Sequence, residues 1–208
     1  MSDRLGKILA GTAAITAGAV GVVGTPDTAE AAVFSSGVVN IPIPANIDGV
    51  YLNVITGATG TSGSSVSGWD VNPYALSTGP AFFSPNTNAT VASQHGVVGS
   101  GTTVTDIGPA GVVGPASTFL NGARTTSTFT PGVEGVLGFR FLNEAGGTVH
   151  YGYARIIPPS TSTAGIAGTI IEYAYEGTPN TAIAVPEPAS LSLLALGAVG
   201  LLRRRSVA

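Results

Sequence analysis

Between residues 32 and 185, short apolar runs rich in Val, Ile, Phe and Tyr alternate with clusters of Gly, Pro, Ser, Thr and Asn. No window sustains a 3.6-residue apolar period framed by helix caps, so the pattern predicts an all-β body. Its clearest strands come late. In residues 136–142 a period of two places Leu137, Phe139 and Phe141 on one face and Arg140 on the other. Turn residues follow at 143–147, and in 148–156 Val149, Tyr151, Tyr153 and Arg155 share a face, which predicts a hairpin. Residues 168–176 alternate Ile171, Tyr173 and Tyr175 against Ile170, Glu172 and Ala174 and extend the hairpin into a meander. Earlier strands are predicted at 38–43, 50–55, 81–84, 90–98, 102–107 and 127–130. Nine short strands imply an antiparallel β-sandwich or jelly-roll-like body. The tripeptide Gly-Val-Val recurs at 21, 37, 96 and 111, but its unequal gaps reflect composition and not a repeat.

The two ends break this pattern. Arg4 and Lys7 precede an uncharged apolar stretch at 8–23 and a polar segment ending Ala29-Glu30-Ala31-Ala32. That is the layout of a secretory signal peptide and its helix, with Ala29 and Ala31 forming the small-residue cleavage site. At the other end, residues 189–202 form an uncharged run of 14 residues followed by Arg203, Arg204 and Arg205. Fourteen residues are short for a bilayer span, but arginines can snorkel to the headgroups and act as a cytoplasmic stop. A short C-terminal transmembrane helix is therefore expected. Both ends then specify one topology, with the body across the membrane. The organisation predicted is a signal peptide at 1–31, an exported domain at 32–184 and a tail at 185–208.

Pro186 and Pro188 each lack an amide donor and push the preceding residue out of helical conformation, so Glu187 is expected in an extended segment just outside the apolar run. The order Val185-Pro186-Glu187-Pro188-Ala189-Ser190-Leu191, then Leu/Ala/Gly residues, then three arginines, resembles the PEP-CTERM sorting signal. The resemblance implies a bacterial envelope protein, exported by the secretion machinery, held transiently in the inner membrane, processed by an exosortase-type enzyme, and then displayed at the surface or released. Residues 68–83 and 137–156 resemble the body of some short PEP-CTERM surface proteins, a resemblance that implies no activity.

Composition narrows the functional classes. Only 9% of residues are charged and the net charge is −3, which offers no basic footprint for nucleic acid. The body alone carries three Arg, no Lys and seven acids. There is no cysteine, which excludes disulfides, thiolate metal sites and cysteine nucleophiles. Glu172 and Glu176 lie four residues apart on one strand face, about 13 Å, too far for glycoside hydrolysis. Glu134 and Glu144 sit at opposite ends of one strand, and all four read as solvated edge charges. His95 and His150 stand in no ligand-like spacing, and His150 reads as a half-exposed strand residue. Asp48, Asp70 and Asp106 are too dispersed for a calcium loop. No catalytic, cofactor or metal residue is assigned. Trp69, the lone Trp, most simply fills the core. The alternative is an aromatic platform of Trp69 and Tyr74, near Asn72, for a sugar of the envelope polysaccharide. The expectation is thus a non-enzymatic surface or matrix protein with a structural or adhesive role, with a carbohydrate-binding module as the alternative. A glycosidase using Glu134 or Glu144 is a third reading.

Overall fold

A computed structural model describes residues 32–187. The chain there is all-β apart from one short helix and one 3₁₀ turn. The predicted meander is its centre: β12 (Gly135–Asn143), β13 (Thr148–Ile157) and β14 (Gly168–Glu176) pair antiparallel, with Arg140 opposite Tyr151 and Tyr153 opposite Ala174. Together they belong to a nine-stranded sheet ordered β1-β14-β13-β12-β7-β8-β11. Here β1 is Val33–Ser35, β7 Gly96–Ser100, β8 Thr103–Val104 and β11 Thr126–Ser127. Strands β2 (Ile41–Ile43) and β10 (Phe119–Leu120) pair beside this path with β14 and β7. The β11–β8 pair alone is parallel among the described pairings.

Period-two alternation gives this sheet two apolar faces, and both are covered. Leu137, Phe139 and Phe141 join Ala154, Ile156, Ile170 and Tyr173 in the larger core. That core is closed by Leu52 of β3 (Tyr51–Leu52), which pairs β4 (Thr59–Gly60), and by Phe82 of β6 (Gly79–Phe83), which pairs β5 (Asn72–Leu76). On the opposite face Val136, Tyr151, Tyr153 and Ala174 pack with Val113, Ile183 and Val185. The cover here is a ribbon of β9 (Val112–Val113) and β15 (Ile183–Ala184). Gly152 is required within the central sheet, because a Cβ there would lie 2.6 Å from both the ring of its cross-strand neighbour Phe139 and the Ala174 carbonyl oxygen.

Three sequence expectations change. Residues 90–98 are not one strand: α1 (Ala89–Gln94) comes first and β7 begins at Gly96. The Asn88 side chain accepts from the Val91 amide at 3.0 Å and caps the helix, an N-cap signal that Val91 and the later valines obscure. No strand is predicted at 72–76, yet β5 forms there, with Pro73 opposite Phe82 in a two-stranded ribbon where Pro is tolerated. The alternation in β14 also breaks: the register passes from Arg155–Glu172 directly to Ile156–Ile170, so Ile171 is the extra residue of a bulge. Ile170 consequently enters the same core as Tyr173 and not the face of Glu172.

Candidate functional site

Pro186 and Glu187 of the sorting motif stand directly on the body. β15 pairs antiparallel with β9, Ile183 opposite Val113 and Ala184 opposite Val112. The Val185 amide donates to the Gly111 carbonyl at 2.8 Å. Ile183 and Val185 are 2% and 3% exposed, so Val185, expected in the tail, is a core residue of the domain. Beyond it Pro186 and Glu187 are exposed. They line a cleft of about 240 Å³ with Asp106, Glu134, Arg155 and Glu172. Pro188, the stop residues Arg203, Arg204 and Arg205, the cleavage residues Ala29 and Ala31, and both expected helices lie outside the described residues. Among the described residues no helix is long and apolar enough to cross a membrane.

The cleft is built by the central strands. Arg155 on β13 donates from Nε to Glu134 Oε1 at 2.7 Å and from Nη1 to Glu172 Oε1 at 3.0 Å. Hydrogen bonding to Glu134 is the largest cause of its raised pKa, and Glu172 adds to it against the opposing effect of burial. Asp106 Oδ1 accepts from the Gly108 and Val136 amides at 2.9 and 2.8 Å, which pins the 106–108 turn to the start of β12. The guanidinium is thus shared by two carboxylates. Glu134, just ahead of β12, and Glu172 on β14 are joined through Arg155.

The predicted sugar platform is not assembled as drawn from the sequence. Tyr74 is a buried β5 residue, and Asn72, 2% exposed, spends its side-chain amide on the Asp48 carbonyl at 2.8 Å. Trp69 is in neither core cluster: half-buried, it packs edge-on to Tyr51 at 4.8 Å and tilted against Phe83 at 5.0 Å. Both partners are also half-buried, so a small aromatic group reaches the surface around Trp69.

Two polar groups read as dispersed are in fact interior. Asp70, 1% exposed, accepts from the Val54 amide at 2.9 Å through Oδ2, and its Oδ1 lies 3.7 Å from His95 Nε2. Burial pushes the Asp70 carboxyl up to about 8, with Glu144 adding and the Val54 hydrogen bond opposing. Burial likewise lowers the His95 pKa. Both shifts favour a neutral pair in which protonated Asp70 faces an unprotonated Nε2, while Nδ1 donates to the Val91 carbonyl at 3.2 Å. Sequence spacing concealed this pair, because 25 residues and a change of layer separate its members. His150 is also not half-exposed: it is 3% exposed, holds the Glu176 carbonyl at 2.8 Å through Nδ1, and stacks on Phe141. Glu176 is no solvated edge charge either, being 1% exposed with Oε1 accepting from the Thr178 amide. Among the described residues no three His, Asp or Glu side chains are placed to hold a metal ion.

Residues 184–206 match the PEP-CTERM protein-sorting motif, which is the C-terminal tail of exosortase substrates. The match begins inside β15. No curated protein matches the chain, and no solved structure matches it.

Proposed function

We propose that this exosortase-sorted, exported chain contributes its β body to surface or matrix material in a structural or adhesive role, without catalysing a reaction. The observation that carries the reading is the sorting tail, which implies export to the cell envelope and processing by a membrane enzyme. The body's side chains support it, since several of those capable of acid–base chemistry are engaged in holding the fold: Arg155 with Glu134 and Glu172, His150 with the Glu176 carbonyl, Asp70 with the Val54 amide. In this reading 1–31 is a cleaved signal peptide, the layered body is sandwich-like or jelly-roll-like, and 189–202 rests in the inner membrane until processing.

Replacing Glu187 with Ala removes the charge a processing enzyme would read but leaves the arginine stop intact. Uncleaved, membrane-bound protein is then expected to accumulate. Equal processed protein from wild type and variant, by immunoblot of membrane and released fractions, refutes the sorting reading. Intact mass of the mature protein from its host tests both termini at once.

Carbohydrate recognition is the second reading, favoured by one observation: the Tyr51, Trp69 and Phe83 rings meet at the surface. Aromatic faces of this kind stack on sugar rings. Titrating the mature protein with envelope polysaccharide should then shift Trp69 fluorescence, and an unchanged spectrum leaves the structural reading alone.

A further inference from the structure

We infer that the docked strand at residues 183–185 limits the room available to the processing enzyme, so that undocking of this strand governs how fast the chain is cut. The inference rests on the reading of 189–202 as the membrane segment.

Val185 is fixed to the body by its side chain in the core and its amide on Gly111, and the apolar run starts at Ala189. Four residues reach at most about 14 Å at about 3.6 Å each. One layer of secondary structure occupies about 10 Å. An enzyme that grips the motif between body and bilayer therefore has room for little more than one such layer. The strand itself offers no help, because its upstream residues are already paired with β9 and buried against Val113. Releasing 183–185 moves the anchor back to Asn180, whose amide donates to the Val149 carbonyl at 3.0 Å. Nine residues then precede Ala189 instead of four, and the reach more than doubles.

The hold on the motif is apolar and not electrostatic. Glu187 opens onto a cleft that already contains Asp106, Glu134 and Glu172, and the cleft's guanidinium, Arg155, is shared by the last two. Nothing among the described residues ties down the Glu187 carboxylate, which stays exposed for an enzyme to read. Ile183 and Val185 are what must come free. Exposing both of these buried aliphatic side chains shifts the equilibrium by about a hundredfold or more, so the undocked form is a minor one.

The test is pulse–chase processing of the full chain in a host that carries its processing enzyme. Four or eight Gly/Ser residues are inserted between Val185 and Pro186. This lengthens the tether without touching β15, the residues Pro186-Glu187-Pro188, or the spacing from those residues to the apolar run. Processing should accelerate by about a hundredfold or more. Val113→Ala, which loosens β15 from the opposite side, should accelerate it severalfold, with circular dichroism verifying that the body remains folded. Insertion variants processed at the wild-type rate or slower overturn the inference. Glu187→Ala is carried in every background. If it blocks processing while the insertions change nothing, the tether inference alone falls. If it has no effect, the sorting reading fails and takes the inference with it.

Discussion

At Asp70, burial outweighs the Val54 hydrogen bond and sets the folded carboxyl at about 8 against an ordinary 3.8. The folded state therefore binds a proton that the unfolded chain releases. Stability from this group is full below 3.8 and is lost as pH rises through about 8. His95 acts in the opposite sense, because its depressed pKa gives stability present above 6.5 and lost as pH falls through its folded value. Between pH 6.5 and 8 only Asp70 of the two changes its contribution, and unfolding stability should fall by about 2 kcal/mol. Asp70→Asn should flatten that slope. Urea midpoints of both proteins at the two pH values measure it, and a wild-type midpoint that stays put shows that Asp70 is already ionised. Gly152 makes a second residue-scale prediction. A methyl there meets the Phe139 ring and the Ala174 carbonyl at 2.6 Å, so Gly152→Ala should cost about 1–3 kcal/mol, seen as a lowered Tm.

Among the elements, β15 contributes far more than its two residues suggest. Ending the chain after Val185 should leave the body's thermal stability intact. Ending it after Asn180 strips Ile183 and Val185 from the second core and uncovers Val113 and Tyr153, at a cost of about 3–6 kcal/mol. Thermal melts of the two truncated proteins provide the comparison, and equal Tm values would mean that the ribbon is dispensable. The Arg155 triad is weaker. It is about a third exposed, and solvent screening holds Arg155→Ala to about 1 kcal/mol or less in the same assay.

For the whole molecule, the topology proposed above depends on the two charged ends. If the arginines act as the proposed stop, replacing Arg203, Arg204 and Arg205 with Gln weakens it on a 14-residue apolar run, so some full-length protein should cross the membrane uncut. Immunoblotting of released fractions detects it, and this phenotype differs from the retained precursor expected of Glu187→Ala. These two variants of one tail thus separate recognition from retention.

The all-β class, the β12–β14 meander with the face assignments of β12 and β13, and the sorting tail were legible because each depends on local order. Period-two alternation requires only neighbouring residues, and the tail is a contiguous string. What was hidden depends on contacts between segments far apart in the chain. The Asp70–His95 pair, the union of Glu134 and Glu172 through Arg155, and the aromatic group of Tyr51, Trp69 and Phe83 each need the tertiary layers to bring their members together. The bulge at Ile171 moved Ile170 across the sheet, a shift that no alternation count reveals, because it is set by the pairing with β13. At the boundary between body and tail the two kinds of information meet. The sequence alone determined that Pro186 and Glu187 belong to a sorting signal, whereas only the fold decided that Val185, one residue earlier, belongs to the core, since its burial depends on Val113 and Gly111 more than 70 residues away.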